Sequence, residues 1–384
     1  MYAQIGFPQA EASMTNDTTV FVGLDVHKDS ITVACVGADS SDTPVDLGTL
    51  GTQQYAIDRL IKKLSGRGPL RFVYEAGPCG FWLQRYLRSV EQECLVAAPS
   101  LIPRRPGQRI KTDRLDARNL ALALRAGTLT AVHIPTPEEE AFRDVVRAWQ
   151  QCKRDVTSAK QRLKAFLLRN DIRYAGRASW SAAHRRWLAR LVLPSPAQQI
   201  VFQELVDAVN ERERRRDRLE AELEVLAPSW PGYPLACALL AFRGIQKTVA
   251  YTVVAETSSF ARFSHPSRYM AWLGFVPSEH SSGSSRHQGP ITRSGNRWAR
   301  TLLVEAAWAY RYTPKVSPII EQRAQDIDPK IRALAWKAQL RLTHKYRRLI
   351  ARGKHANLAV TAVARELAGF IWDAARLIEQ PQRV

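Results

Sequence analysis

The amino-acid sequence predicts an α/β domain followed by a mostly helical chain. Short apolar runs typical of strands alternate with helical apolar spacing over residues 18–130, which is the pattern of an α/β domain. From residue 142 onward, apolar residues recur at intervals of three and four over long segments, as in amphipathic helices. Hydrophobic residues make up 45% of the 384 residues, so the chain can bury real cores and is not a disordered protein.

The first segment begins with a predicted β-hairpin. Residues 20–26 and 30–36 are apolar runs separated by a polar break. Residues 71–75 form the next predicted strand, residues 81–91 have helical apolar spacing, and residues 94–98 form a further buried strand. We therefore expect strands and helices to pack as layers in this part of the chain.

Two long helices are predicted next. Apolar residues from Phe142 to Phe166 are separated alternately by three and four residues, which gives an unbroken heptad seam. A second helix is predicted over residues 196–226, where Arg212 and Arg216 interrupt the seam. The pair could form a hairpin within one chain, a coiled coil between chains, or simple amphipathic helices packed on their own chain. The two arginines are unfavourable in a dry core and could pair with acids or phosphate instead.

A proline-rich break over residues 228–234 predicts a domain boundary. Two short helices are expected around Arg243 and Gly244, then a long polar loop over residues 257–296, and further helices over residues 297–316 and 330–380. The predicted domains are therefore residues 18–135, residues 136–228 and residues 229–384.

The charge balance points to a polyanionic partner. Lysine and arginine total 56 against 36 acidic residues, which gives a formal net charge of +20. The sequence has no apolar run long enough to span a membrane and no secretory signal, so a membrane partner is not expected. The five cysteines are widely spaced and contain no C-x-x-C motif, which fits a reducing cytoplasm better than a disulfide framework.

Four carboxylates are candidate metal ligands: Asp25, Glu75, Asp113 and Asp116. Asp25 lies in an otherwise apolar strand, where an unpaired charge is costly, and Glu75 ends another strand. Asp113 and Asp116 are three residues apart, which places both on one face of a helix. Clustered carboxylate oxygens are what Mg²⁺ needs to hold phosphate. The alternatives are an N-cap role for Asp113, helix-dipole compensation by Asp116 and an exposed strand end at Glu75.

A Ser/Gly segment over residues 280–287 is the second candidate site. A serine becomes a nucleophile only when its proton is removed or its attack position is fixed, so a flexible linker is the alternative. Basic residues around it, among them Arg286, Arg293, Arg297 and Arg300, could bind a scissile phosphate. Residues 239–249 are also similar to a helix-hairpin-helix, for which a plain packing corner is the alternative.

Together these motifs resemble the DEDD-type transposases of insertion sequences, a family of bridge-RNA-guided serine recombinases. The first three motifs are GLDVHKDS around Asp25, VYEAGPCG around Glu75 and KTDRLDARNLA around Asp113 and Asp116. The distal block contains LLAFRGIQKTVA and RFSHPSRYMAWLGFVPSEHSSGSSRHQGPITRSGNRWARTLL. The resemblance extends from about residue 20 to about residue 315.

The resemblance implies a RuvC-like, RNase H-type N-terminal domain whose four acids bind Mg²⁺ or Mn²⁺. It implies a coiled-coil insertion that makes a dimer or tetramer, and a C-terminal domain whose nucleophile is Ser282, with Ser281 and Ser284 as the other candidates. The implied partners are donor and target DNA and a non-coding bridge RNA, in the cytoplasm of a bacterium and associated with its nucleoid.

The resemblance and the charge pattern together give a set of expected nucleic-acid contacts. This set comprises Arg104, Arg105, Arg109, Lys111, Arg114, Lys247, Arg286, Arg293, Arg297 and Arg300. Two other functions use the same residues: a RuvC-like nuclease that works with metal-activated water and no protein nucleophile, and a nucleic-acid-binding protein without catalysis.

Overall fold

A computed structural model describes residues 18–39, 41–103, 112–279, 281–283, 285 and 287–379. The chain divides into a first compact unit that ends at Ile134 and a second that begins at Pro135. The first unit is α/β and the second is mostly helical, so the predicted fold class is confirmed at this level. No helix among the described residues combines the length and the apolar character that crossing a bilayer requires.

The first unit is built around a five-stranded mixed sheet. In chain order its elements are β1 (Val20–Val26), β2 (Ile31–Gly37), β3 (Val45–Leu50), α1 (Gln54–Ser65), β4 (Leu70–Glu75), α2 (Trp82–Ser89), β5 (Glu93–Ala97) and α3 (Asp113–Arg125). The strand order is β3-β2-β1-β4-β5; β1, β2 and β3 pair antiparallel, while β4 is parallel to both β1 and β5. The predicted β1–β2 hairpin is confirmed. The sequence analysis did not predict β3 and α1.

Helices cover both faces of this sheet because side chains alternate along each strand. Val20, Val22 and Leu24 of β1 share a core with apolar residues of α1 and α2. Phe21, on the opposite face of β1, packs with Ala121 of α3. Residues at odd positions of β1 therefore face α3.

The second unit consists of helices and one short hairpin. Its elements are α4 (Pro137–Arg169), α5 (Ala182–Arg190), α6 (Pro196–Leu226), α7 (Tyr233–Leu239), α8 (Lys247–Thr257), α9 (Pro266–Trp272), β6 (Pro277–Glu279), β7 (Gln288–Ile291), α10 (Arg297–Ala307), α11 (Pro318–Arg323), α12 (Pro329–Ala351) and α13 (Ala356–Glu379). The expectation of one long polar loop over residues 257–296 is wrong, because α9, β6 and β7 lie within that segment.

The two predicted long helices, α4 and α6, pair with each other within the chain. They are antiparallel, since Trp149 Nε1 donates to Glu220 near one end of the pair and Gln198 Nε2 donates to Asn170 near the other. A capping box at Thr136 and Pro137 in the first turn start α4. The half of the pair near Trp149 and Glu220 joins the largest core of the second unit. The half near Asn170 and Gln198 packs with α5.

The seam of α6 differs in part from the predicted one. Glu213, not Arg212, is buried between the helices, and Leu226 at the end of the predicted seam is exposed. Lys160 of α4 and Arg185 of α5 contact its carboxylate at 2.6 and 2.8 Å. Arg216 pairs with the adjacent Asp217, and Arg212 donates to the carbonyl of Ala208. The charge inside the seam is therefore an acid neutralised by two cations.

Candidate functional site

Asp25 lies near the end of β1, on the face that α3 covers. Phe21, Gly23 and Asp25 share this face because side chains alternate along the strand. Gly23 lets α3 come close: a Cβ at this position would lie 2.1 Å from the Ala117 carbonyl oxygen and 2.7 Å from the Ala121 nitrogen. Since both atoms are backbone, only glycine permits this approach of helix to strand.

The start of α3 brings two further acids to Asp25. Thr112 caps the helix by accepting a hydrogen bond from the Leu115 nitrogen, so Asp113 and Asp116 lie in the first turn. Asp113 is therefore not the N-cap. Dipole compensation remains compatible with both positions, because acids in a first turn are favourable there.

His27, and not Asp116, completes a three-residue cluster with Asp25 and Asp113. Its Nε2 lies 3.2 Å from Asp25 Oδ2 and 3.7 Å from Asp113 Oδ2. One ligand atom from each of the three residues lies within 4.8 Å of the other two, a spacing compatible with a single metal ion. The sequence analysis did not select His27, although its place two residues after Asp25 was a usable signal.

Electrostatics in this cluster favour a cation. Burial raises the pKa of Asp25, His27 opposes that rise, and the charges of Asp113 and Asp116 add to it. Negative charges held this close cost free energy unless a positive group neutralises them. Carboxylate oxygens suit Mg²⁺ or Mn²⁺, and an imidazole nitrogen is also accepted by transition metals such as Mn²⁺, so the donor set fits a divalent cation.

Glu75 reaches the same cleft from the neighbouring strand. The parallel register pairs Leu24 with Tyr74, so Asp25 and Glu75 each follow the last paired residue of adjacent strands. Both carboxylates line an open cleft of about 920 Å³. Glu75 is exposed at the strand end and lies outside the three-residue cluster. The carboxyl ends of parallel strands are a common place for such a site.

In the second predicted site, the described residues Ser281, Ser282, Gly283 and Ser285 lie between β6 and β7, which pair as a hairpin in the second unit. Ser282 and Ser285 exchange two backbone hydrogen bonds of 3.1 Å, and Gly283 between them has a φ of +56°. The tip is therefore a tight turn that leaves Ser282 exposed. The Ser281 hydroxyl donates to Glu279 at 2.9 Å. The other serine candidate, Ser284, and Arg286 lie outside the described residues.

The base of this hairpin is tied to a buried carboxylate. Its return strand leads into Asn296, whose backbone nitrogen donates to the Trp272 carbonyl and whose side chain caps α10. The Asn296 amide also donates to Glu256 at 2.7 Å, and Arg147 of α4 binds both oxygens of that carboxylate at 2.6 and 2.8 Å. Three helices therefore fix the end of the hairpin opposite to the serine.

Of the expected nucleic-acid contacts that the structure describes, three arginines lie together at the hairpin base. Burial lowers the pKa of Arg300, and repulsion from Arg293 and Arg297 lowers it further, so the three guanidinium groups are close. Arg293 and Arg297 are exposed, while Arg300 donates to the carbonyls of Leu273 and Gly295. The cluster combines two exposed cations with one that holds the backbone in place.

The remaining expected contacts differ in their surroundings. Arg114 is exposed on the first turn of α3, and Lys247 forms an ion pair with Glu224. Arg104, Arg105, Arg109 and Lys111 lie outside the described residues.

The turn between α7 and α8, considered above as a helix-hairpin-helix, packs against α10. Gly244 has a φ of +84°, and a Cβ there would lie 2.3 Å from the Ala306 carbonyl oxygen. This close approach accounts for the glycine without a nucleic-acid contact.

Two family models match the chain over the segments that carry these features. A model described as "Transposase IS116/IS110/IS902 family" matches residues 236–319, which include the serine hairpin. A second model, described as "Transposase" and of the DEDD type, matches residues 22–170, which include the four acids. A domain of the DEDD type indicates use of a divalent metal.

Curated relatives extend the similarity to most of the chain. Transposase y4qE of Sinorhizobium fredii is 41% identical over 361 residues, which cover 94% of this chain and 89% of the relative. The transposase for insertion sequence element IS1533 of Leptospira borgpetersenii is 31% identical over 339 residues, 86% of this chain and 96% of the relative. The chain belongs to the IS116/IS110/IS902 family of transposases, enzymes that bind, cut and transfer DNA.

Proposed function

We propose that this transposase is a site-specific recombinase that cuts and rejoins DNA through Ser282. The observation that carries the proposal is the exposed serine at the tip of an anchored hairpin, in a chain that also gathers carboxylates at a strand end. Neither feature alone requires a transposase. Both lie within the segments that match transposase families.

Asp25, Glu75, Asp113 and Asp116 would hold Mg²⁺ or Mn²⁺ in the cleft of the first unit, with His27 as a further ligand. When bound, such an ion supplies positive charge that orients a scissile phosphate and stabilises its developing charge. The carboxylates themselves would bind the cation and hold it at the strand end. A RuvC-like fold for this unit is part of the proposal, supported by the mixed sheet and the position of the acids.

The serine step exchanges one phosphoester bond for another. The Ser282 oxygen forms a bond to phosphorus as the bond from phosphorus to the DNA 3′ oxygen breaks. The serine proton leaves to a base, and the departing 3′ oxygen takes up a proton. The products are a phosphoserine link and a free 3′-hydroxyl, and reversal of the attack on a new strand rejoins DNA. Arg293 and Arg297 would bind the phosphate during this exchange.

A bridge RNA that specifies donor and target DNA is part of the same proposal. So are a dimer or tetramer assembled through the long helices as a coiled coil, the three-domain division given above, and a place in the bacterial cytoplasm with the nucleoid. The +20 net charge supports two polyanionic partners, RNA and DNA, on one chain.

The test is a covalent adduct assay. Protein, the element's non-coding RNA, Mg²⁺ and end-labelled DNA are incubated, denatured and separated by gel electrophoresis. We expect a labelled protein–DNA adduct with the wild type and with Ser281→Ala and Ser285→Ala, two matched controls from the same hairpin. We expect no adduct with Ser282→Ala.

An adduct at wild-type level with Ser282→Ala would make the assigned nucleophile wrong. Cleavage without any adduct would favour a nuclease that uses water. Tight binding without cleavage or adduct, in the presence of the cognate RNA, would favour a binding protein.

A further inference from the structure

Helix α12 and the turn that follows it form a segment without acids. Between residues 329 and 365 the sequence contains ten lysines and arginines and no aspartate or glutamate. This segment lies beyond both family-model matches, the later of which ends at residue 319. None of the expected nucleic-acid contacts falls within it.

The basic residues of α12 form a stripe along one side of the helix. At 100° per residue, six of them fall within a narrow sector, with steps of seven, four, four, three and four residues. We call this set the α12 stripe: Lys330, Lys337, Arg341, Lys345, Arg348 and Arg352. The buried residues of the helix, such as Ala335 and Leu342, lie on a different side. Most of the stripe is therefore exposed, and only Lys345 is half-buried.

Only part of this charge is neutralised within the second unit. Arg341 and Lys345 share one carboxylate, that of Glu366 on α13, at 3.1 and 2.6 Å. Burial raises the pKa of Asp373, and the nearby charge of Lys337 opposes that rise. Among the described residues, no carboxylate forms an ion pair with Lys330, Arg348 or Arg352. Both ends of the stripe therefore carry unpaired positive charge.

We propose that the α12 stripe binds the sugar–phosphate backbone of duplex DNA. From Lys330 in the first turn of α12 to Arg352, the residue that caps its end, the stripe spans 22 residue steps, about 33 Å at 1.5 Å per residue. One turn of B-form DNA has nearly the same length, about 34–36 Å. A row of cations of this length matches the rise of one turn of duplex DNA and can contact phosphates where the backbone crosses it. Contacts of this kind position a protein on DNA without reading its sequence.

The inference rests on membership of a DNA transposase family but not on the serine chemistry. Binding to phosphates needs neither the carboxylate cluster nor Ser282. DNA binding by the stripe can therefore be measured in EDTA, which removes divalent metals. The result then does not depend on whether the catalytic proposal is right.

The test compares the salt dependence of DNA binding between two triple variants of the full chain. The first is Lys330→Gln/Arg348→Gln/Arg352→Gln, which removes the unpaired cations of the stripe. The control is Arg214→Gln/Arg215→Gln/Arg218→Gln, which removes three exposed arginines from α6, where acids are interspersed. Both variants lose the same net charge, and glutamine preserves the helix. Fluorescence anisotropy with a ~30 bp duplex, about three helical turns, measures Kd over a series of KCl concentrations.

We expect the slope of log K against log salt to become shallower by about 2.7 in the stripe variant. The variant loses three phosphate contacts, and each contributes about 0.9 to the slope. The control should keep the wild-type slope, and both variants should keep the wild-type circular dichroism spectrum and Tm.

An unchanged slope in the stripe variant overturns the proposal. If the slope becomes equally shallow in both variants, the proposal is overturned as well, because net charge alone would then account for binding. The same series with a single-stranded RNA probe tests the choice of partner. If the slope of the stripe variant becomes shallower only with RNA, the stripe binds RNA and the proposal is contradicted.

Discussion

At the scale of single residues, the side-chain alternation of one strand accounts for much of the carboxylate site. Asp25 and Gly23 lie on the same face of β1, so the glycine that admits α3 also brings Asp113 toward Asp25. The sequence allowed Asp25 to be selected because charge in an apolar strand is conspicuous, and Asp113 and Asp116 because they are three residues apart. It did not single out His27, because a histidine after a strand end is ordinary until a folded neighbour lies beside it.

The Gly23 contact predicts a specific loss. Gly23→Ala would place a methyl group against the backbone of Ala117 and Ala121, so α3 must shift. We expect the free energy of unfolding to fall by about 1–3 kcal/mol and Mn²⁺ affinity to fall with it. Denaturant titration and Mn²⁺ titration measure the two effects.

Gly66→Ala is the matched control, because a Cβ at Gly66 meets nothing within 4 Å. A Gly23→Ala variant as stable as the control, with unchanged Mn²⁺ affinity, would contradict this account of α3.

At the scale of elements, apolar patterns predicted several elements and missed others. The sequence predicted β1, β4 and α4 from their apolar runs or repeats, and α6 although two arginines interrupt its seam. Helix α1 was not predicted, although it is amphipathic and buries Ile57, Leu60 and Leu64. The β6–β7 hairpin was missed because its two strands, of three and four residues, contain almost no apolar side chains. These strands form because they pair with each other, and a local sequence pattern carries no information about such pairing.

The helical pair α4–α6 depends on Glu213, which ties three helices together. Burial opposes ionisation of this carboxyl, but hydrogen bonds from Lys160 and Arg185 outweigh it and hold its pKa below the usual 4.5. A lowered pKa in the folded state means stabilisation that is present above the unfolded pKa and lost as pH falls through the folded one.

We therefore expect Glu213→Gln to lower the free energy of unfolding by about 1–3 kcal/mol at neutral pH, less than for a fully buried pair because Arg185 is half-exposed. The difference from wild type should shrink as the pH falls below 4.5. Urea titrations at several pH values measure it. Glu211→Gln, an exposed acid on the same helix, is the control. A difference that stays constant with pH would show that Glu213 acts by packing rather than by charge.

At the scale of the whole molecule, the proposal assigns binding and chemistry to different residues. The net charge of +20 comes from residues spread over both units, whereas the proposed metal ligands are a few side chains in the first. Asp25→Asn should therefore abolish Mg²⁺-dependent cleavage and leave DNA and RNA affinity within about twofold of wild type, since phosphate contacts dominate affinity.

Cleavage is measured in Mg²⁺, and nucleic-acid affinity is measured by fluorescence anisotropy in EDTA, with the same protein preparation. Glu91→Gln, which removes one exposed negative charge from the first unit, is the charge-matched control, with cleavage expected to persist. Cleavage by Asp25→Asn at the wild-type rate would remove Asp25 from the site.

The most direct test of the central claim locates the DNA on the protein. The denatured protein–DNA adduct is digested with nuclease and protease, and tandem mass spectrometry maps the residue that retains a nucleotide phosphate. We expect this phosphoester on Ser282, at the tip of the β6–β7 hairpin. A phosphoester on any other residue would contradict the assignment of Ser282 as the nucleophile. Cleaved DNA without any phosphoester on the protein would contradict it as well.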